Sequence, residues 1–140
     1  MQFFTKIPLV ASQKPIDYNS KIVSIGSCFA ANMGEKFVFF KFQNTTNPFG
    51  IIFNPVSIEK LIRRAIRKDV FSEKDVFFHE ERWHCFEVHS ELSHPDKEFY
   101  LTEINKKLEQ LFEQLCTASH FIITLGTSWV YKTKDSQEIV

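Results

Sequence analysis

Residues 22–31 constrain the fold of this chain more than any other stretch. They read Ile-Val-Ser-Ile-Gly-Ser-Cys-Phe-Ala-Ala, so a short apolar run ends at Gly26 and a helical pattern follows. Glycine permits a sharp turn that a side chain would obstruct. The next residues, Ser27 and Cys28, then lie at a helix N-terminus beside unpaired backbone N–H groups, which stabilise a thiolate or an oxyanion. The sequence therefore predicts a strand-to-helix turn that presents a nucleophile.

The rest of the chain alternates between strand-like and helix-like patterns. Phe29, Met33 and Phe37 recur at helical spacing. A continuous apolar run at 121–125 is typical of a parallel strand buried on both faces. The predicted elements are a strand at 21–25, a helix at 28–40, a loop at 44–55, a helix at 56–68, a hairpin of 76–78 with 83–88, a helix at 98–117, a strand at 121–125 and a terminal hairpin of 129–133 with 138–140.

This alternation predicts an α/β fold of three layers, in which helices flank a parallel sheet. Gly26 and Gly126 stand at the C-terminal ends of the two clearest strands, and each is followed by Ser or Thr. Ligands bind at that edge of open parallel sheets. If the two strands are neighbours, both motifs converge on one cleft. No repeat or Gly/Ser-rich linker divides residues 1–140, so one domain is expected.

Charge and composition exclude several classes of partner. Seventeen basic residues balance seventeen acidic ones, and no basic stripe interleaves with aromatic residues. Neither nucleic acid nor an anionic membrane is therefore expected as a partner. The one basic run, at 63–68, is interpreted as the solvated face and C-terminal end of a helix. Sixteen Phe against four Gly indicate either an aromatic core or an exposed aromatic surface that a partner covers.

Cysteine usage and the N-terminal sequence bear on the compartment. The three cysteines, Cys28, Cys85 and Cys116, are odd in number and scattered, which suits a reducing compartment. No signal-peptide pattern and no apolar run of membrane-spanning length occurs, so a cytoplasmic location is predicted. We expect no cofactor. We also expect no metal site, because the spacing of the His and Cys residues at 79–94 matches no standard zinc site.

The motif Gly26-Ser27-Cys28-Phe29-Ala30 spells the signature of the GSCFA domain family, which is grouped with the GDSL/SGNH hydrolase superfamily. The stretches 47–55 and 124–131, and Trp83 with His89, resemble the same family in the same order. The resemblance implies an SGNH-hydrolase-like fold. It also implies that residues 1–140 are the N-terminal part of a single GSCFA domain, incomplete at the C-terminus. The superfamily's catalytic base is a His shortly after an Asp near the end of the domain, and no Asp-x-x-His follows Gly126.

The resemblance also nominates catalytic residues. Aligning the motif with the Gly-Asp-Ser-Leu pattern of the superfamily places Cys28 at the nucleophile position. Ser27 is the rival nucleophile, and its alternative role is to cap the helix with its hydroxyl. The alternative for Cys28 is a small buried hydrophobe. His89 is the internal candidate for the base, and its alternative is a histidine that makes only structural hydrogen bonds.

Oxyanion donors are expected in two segments. The superfamily uses a Gly after a later strand and an Asn in a Gly-x-Asn block. Here Gly50 and Asn54 lie in the Asn-Pro-rich loop, and Gly126-Thr127-Ser128 has Ser where the Asn would stand. The Ser128 hydroxyl or the Asn54 amide would substitute, because the site needs only a donor aimed at the developing charge. The alternative for Asn54, and for Asn47, is turn chemistry before proline.

Two functions of different classes follow. The first is hydrolysis or transfer of an acyl group by an SGNH-like enzyme, whose substrate is a small-molecule or glycan acyl ester. The second is a non-catalytic fragment or interaction module that needs its missing half or a partner chain. This second function includes self-association through an exposed aromatic surface.

Overall fold

Strands and helices alternate along the part of the chain that the computed structural model describes, which is residues 5, 7–8, 10–134, 137 and 139. In chain order they are β1 (Lys21–Gly26), α1 (Cys28–Phe39), β2 (Gln43–Thr46), α2 (Pro55–Arg67), β3 (Phe77–His79), β4 (Arg82–His84), α3 (Lys97–Thr117) and β5 (His120–Thr124). Short 3₁₀ turns occur at Glu73–Asp75 and Ser90–Leu92. None of the helices within these residues is long and apolar enough to cross a membrane.

A parallel sheet in the order β2-β1-β5 forms the middle layer. Alternate residues of β1 point to opposite faces. Ser24 shares its face with Thr46 of β2, and α1 packs on this face, with Gly34 against the Thr46 side chain. Val23 and Ile25 point the other way, into a core formed with α2 and α3. The predicted α/β architecture, with helices on both faces of a parallel sheet, is therefore confirmed.

Most predicted elements are present, but the loop prediction at 44–55 is wrong at its start. Residues Gln43–Thr46 form β2, which pairs in parallel with β1 from Lys21 to Ser24. This strand is short, polar and only partly buried, so it carries no apolar alternation that would reveal it. The second strand of the predicted hairpin is also shorter than expected. It ends at His84, because the chain turns inward to bury Cys85 and Val88.

The strand predicted at 121–125 is present as β5, but it is not buried on both faces. Phe121 and Ile123 are 41% and 47% exposed. Their register opposite Val23 and Ile25 shows that they continue the face of the main core. No other strand among the described residues pairs with the outer edge of β5, and α2 covers this face only in part. The sheet therefore ends in an exposed apolar margin.

The terminal hairpin predicted at 129–133 with 138–140 is only partly within the described residues. Lys132 and Ile139 form an isolated antiparallel bridge. Positions 135, 136, 138 and 140 lie outside the described residues.

One residue of the basic run at 63–68 is not solvated. Arg64 donates two hydrogen bonds to the Glu87 carboxylate, at 3.0 and 2.9 Å, and lies 3.2 Å from Asp75. The side chains of these three residues are 12%, 9% and 15% exposed, respectively. The guanidinium also lies 4.4 Å from the centre of the Phe71 ring. Arg64 thus holds the segments 69–75 and 85–88 against α2, because it pairs with a buried carboxylate from each segment.

The pKa of Asp75 reflects this cluster. Burial alone raises the pKa of this carboxyl group, but hydrogen bonds from Ser72 and the charge of Arg64 outweigh burial. The pKa of Asp75 therefore lies below its ordinary value, and the carboxylate stays charged opposite Arg64.

Replacing Arg64 by Ala is expected to lower the free energy of unfolding by about 3 kcal/mol, because it leaves Asp75 buried without a cation and Glu87 with Lys60 alone. Urea denaturation followed by circular dichroism measures the change. The matched control is Arg63→Ala, which removes an exposed ion pair to Glu59 and is expected to cost within about 0.5 kcal/mol. Equal losses in the two variants would show that the Arg64 cluster contributes no more than a surface pair.

Candidate functional site

The turn between β1 and α1 is fixed by backbone contacts on both sides. Gly26 has a φ of +145°, and a Cβ at this position would collide with the Thr124 carbonyl. Its N–H donates to the Asn47 side-chain oxygen at 2.8 Å, and its carbonyl accepts from the Ile52 N–H at 3.0 Å. The Ser27 N–H donates to the Thr124 carbonyl at 3.0 Å. The predicted strand-to-helix turn is thus confirmed, and it is held between the loop after β2 and the end of β5.

Ser27 is the N-cap of α1 and is 6% exposed. Its hydroxyl accepts from the Phe29 N–H at 3.3 Å and lies 3.1 Å from the Thr124 hydroxyl. This is the capping geometry that the sequence offered as the alternative role of Ser27. Ser27 therefore joins the helix to the end of β5.

Cys28 is the first residue of α1, and it is exposed. Within the described part of the chain, its backbone N–H has no acceptor, and its thiol has no hydrogen-bond or charged partner. The N–H groups of the first helical turn carry a partial positive charge. Cys28 is therefore an accessible thiol in the first turn of a helix.

The other two cysteines occupy different environments. Cys85 is 5% exposed, and burial raises the pKa of its thiol to about 11. Cys116 is exposed near the C-terminal end of α3, where a helix does not favour an anion. Only Cys28 combines exposure with a helix N-terminus among these three.

Gly126, which follows β5, lies next to the turn at Gly26. The sequence predicted this proximity for the case in which the two strands are neighbours. Gly126 and Thr127 donate their N–H groups to the Phe53 carbonyl, at 2.8 and 3.2 Å. A Cβ on Gly126 would lie 3.3 Å from the Ser27 Cβ and 2.7 Å from the Phe53 ring. The segment 51–54 therefore lies between the two strand ends and touches both.

Several polar groups of the loop 47–54 make hydrogen bonds within the loop or to the first turn of α2. Asn47, at a φ of +45°, accepts the Gly50 N–H at its own carbonyl, 2.9 Å away. The Asn54 amide bonds to the backbone and hydroxyl of Ser57, at 2.8 and 2.9 Å, and so caps α2. Gly50, at a φ of +81°, packs against the His89 side chain. In this structure, Gly50 and Asn54 thus make turn and cap contacts.

Sequence reasoning missed the part that Asn47 plays. Its side-chain oxygen holds the Gly26 N–H, and its own N–H donates to the Ser24 carbonyl at 2.9 Å. Its side-chain nitrogen is buried and has no hydrogen-bond partner among the described residues. Asparagine before proline indicates only a turn. The role of Asn47 follows from the pairing of β1 with β2, which the sequence did not reveal.

A cavity of about 370 Å³ opens beside this edge. Three predicted site residues line it: Asn54, His89 and Thr127. Aromatic residues of the same wall come from three segments: Phe53, Phe86, Trp129 and Tyr131. Ser128 is exposed next to Thr127. The structure thus brings residues from the loop after β2, from the segment after β4 and from the segment after β5 around one space.

Not every predicted partner comes together. The described residues contain no hydrogen bond between His89 and Cys28. They also contain no group of three or more His, Cys, Asp or Glu side chains that could hold a metal ion. Cys28 and Ser27 are not among the residues that line the cavity. The arrangement presents an exposed thiol at a helix N-terminus and, separately, a partly aromatic cavity lined by three of the predicted site residues.

We predict that iodoacetamide near neutral pH alkylates Cys28 in the native protein and leaves Cys85 unmodified until the chain is unfolded. Peptide mapping by mass spectrometry measures both sites. A Cys116→Ser variant removes the other exposed thiol and is expected to leave the Cys28 rate unchanged. Protection of Cys28 in the folded protein would contradict its exposure and remove it as a nucleophile.

Comparison with known proteins places the chain in one family. The model of the GSCFA family matches residues 21–140, which include the turn, the loop 47–54 and the segment after β5. No curated protein and no solved structure gives a significant match. The resemblance carried by the motif at 26–30 is thus confirmed. The chain belongs to the GSCFA family.

Proposed function

We propose that this chain carries the nucleophile of an SGNH-like hydrolase or acyltransferase that acts on an acyl ester, including an ester on a glycan. One observation carries the proposal. Cys28 is exposed as the first residue of α1, at the sheet edge where the ends of β1 and β5 meet. A nucleophilic thiol must be accessible to its substrate, and the Cys28 thiol is accessible.

Cys28 acts by covalent catalysis. Its thiolate sulfur adds to the carbonyl carbon of the ester, and the carbonyl oxygen becomes an oxyanion. Collapse of this intermediate breaks the ester C–O bond, and the leaving alcohol takes a proton, so a thioester on Cys28 results. Water then cleaves the thioester to an acid and the free thiol. In an acyltransferase, a second hydroxyl group takes the place of water.

Two groups are proposed first as donors for the oxyanion. One is the Cys28 N–H, which has no acceptor among the described residues, and the other is the exposed Ser128 hydroxyl. The Gly50 N–H and the Asn54 amide belong to the proposed set as well. Each must exchange its turn or cap contact for the oxyanion when substrate binds.

Three further parts of the proposal rest on the family resemblance and on composition. The base is a histidine of the Asp-x-x-His segment that the family resemblance implies for a complete GSCFA domain. No cofactor or metal takes part. The protein works in the cytoplasm, which agrees with the absence of a membrane-spanning helix from the described residues.

Hydrolysis of p-nitrophenyl acetate by a complete GSCFA domain, with that histidine present, tests the proposal. We expect Cys28→Ala to lower acetylation of the enzyme and turnover on the order of 100-fold or more, because the nucleophile is lost. Ser27→Ala is expected to retain activity within about a few-fold and to lose about 1 kcal/mol of stability with the cap. Mass spectrometry should find the acetyl group on Cys28 in the wild type. Equal rates in wild type, Cys28→Ala and a Cys116→Ala control would refute the proposed nucleophile.

A second candidate function, an interaction module, has its own supporting observation. A groove of about 430 Å³ runs between α2 and β5, and its apolar side chains are Ile58, Ile62, Ile66, Ile123 and Leu125. An edge strand with an exposed apolar face favours association with another chain. In this alternative the chain self-associates, or binds another segment, through the margin of the sheet.

A charged residue in this groove separates the two candidates. If self-association occurs there, light scattering should show oligomers of the wild type and monomers of Ile123→Lys. Phe78→Lys is the matched control, since Phe78 is also exposed but lies on the hairpin of β3 and β4. Wild-type protein that stays monomeric as its concentration rises would argue against self-association.

A further inference from the structure

His89 is held in one orientation by its surroundings. Its backbone N–H donates to the Phe49 carbonyl at 3.0 Å, and its side chain packs against Gly50, where no Cβ could be accommodated. The ring also accepts a hydrogen bond: the backbone N–H of Glu91 donates to Nδ1 at 3.3 Å. These contacts restrain the side chain of His89, which is one of the residues that line the cavity.

The contact at Nδ1 decides where the proton of the neutral ring lies. An N–H group that points at Nδ1 needs a lone pair there, so the proton must reside on Nε2. The Glu91 carboxylate is the other group that faces Nδ1, and its nearer oxygen is 3.6 Å away, beyond hydrogen-bond distance. The backbone donor therefore controls the tautomer.

The Nε2–H has no acceptor among the residues that the structure describes. His89 lines the cavity of about 370 Å³ together with Asn54 and Thr127. A general base at this position would need a lone pair on Nε2, which this tautomer does not have. A hydrogen-bond donor needs only the N–H group that is present.

Charge in the cavity does not oppose an oxygen ligand. The carboxylate of the lining residue Glu87 is paired with Arg64 at 2.9 Å and with Lys60 at 3.2 Å. Glu91 beside His89 is largely exposed, so water screens its charge. An acceptor oxygen, neutral or anionic, can therefore approach the ring.

From this geometry we propose that His89 is a substrate-binding donor, whose Nε2–H binds an acceptor oxygen of the acyl substrate in the cavity. This inference rests on the proposed acyl-transfer function for the identity of the ligand. It assigns the base to another residue, so His89 contributes to binding and orientation.

Nitrogen-15 NMR of the wild-type imidazoles tests the tautomer without any substrate. We expect the neutral His89 ring to be protonated at Nε2. His84 serves as an internal reference, because its Nε2 lies 3.1 Å from the His79 carbonyl and must also carry a proton. A neutral His89 ring protonated at Nδ1 would overturn the inference.

Titration with sodium acetate, a carboxylate and a product of p-nitrophenyl acetate hydrolysis, tests binding. We expect the His89 Nε2–H resonance to move and the His84 resonance to stay. No shift at His89 at saturating acetate would overturn the inference. A shift without any turnover of p-nitrophenyl acetate would leave the His89 donor standing and refute the proposed reaction, so the two failures are distinguishable.

Kinetics with p-nitrophenyl acetate separate a donor from a base. Losing one neutral hydrogen bond in His89→Ala is expected to raise KM about 3- to 10-fold with little change in kcat. His89→Gln keeps an N–H donor and should restore KM to within about two-fold. The matched control is His79→Ala, at an exposed histidine outside the cavity lining, which should change neither constant. An equal loss of kcat in His89→Ala and His89→Gln would identify a base and overturn the inference.

Discussion

The close contact between the end of β1 and the end of β5 is the constraint on which the candidate site depends. The Thr124 carbonyl occupies the space that a side chain at position 26 would need, and it accepts the Ser27 N–H. Since Gly26 lacks a Cβ, the two backbones can approach this closely. The chain then turns directly into α1, which leaves Cys28 at the exposed start of the helix.

The loop after β2 makes this turn rigid. Asn47 supplies an acceptor to Gly26, Ile52 supplies a donor to the Gly26 carbonyl, and Phe53 accepts from Gly126 and Thr127. These bonds satisfy backbone groups at the sheet edge that would otherwise face a cavity without partners. The same loop therefore lines part of the cavity and supports the turn that leads into Cys28.

A second support reaches the cavity from the opposite side. Glu87 lines the cavity and is fixed by Arg64, which also binds Asp75 and covers Phe71. Buried charges of this kind are costly unless every partner is present, so the cluster favours one arrangement of the segment after β4. That segment also carries His89. The position of the His89 ring thus depends on an ion cluster whose cation comes from α2.

The sequence by itself determined the elements whose patterns are local. Gly26 with its neighbours, the apolar stripe of α2, the periodicity of α3 and the apolar run of β5 all predicted elements that are present, because each pattern reflects one buried face or one turn. Strand polarity predicted that Gly26 and Gly126 would converge if their strands were neighbours, and the pairing of β1 with β5 meets that condition. The family was evident from the same few residues.

Only the tertiary structure decided what depends on pairing between distant segments. The strand β2 is polar and forms only because β1 offers its edge, and Asn47 has its role only through that pairing. From the sequence, Arg64 was predicted to be a solvated surface cation. In the folded chain it pairs with Glu87 and Asp75, and its side chain is largely buried. The exposure of β5 depends on which other elements cover its face. The position of the proton on the neutral His89 ring depends on the backbone N–H of Glu91. Residue types and spacing cannot encode these contacts, since they arise from the register and packing of the folded chain.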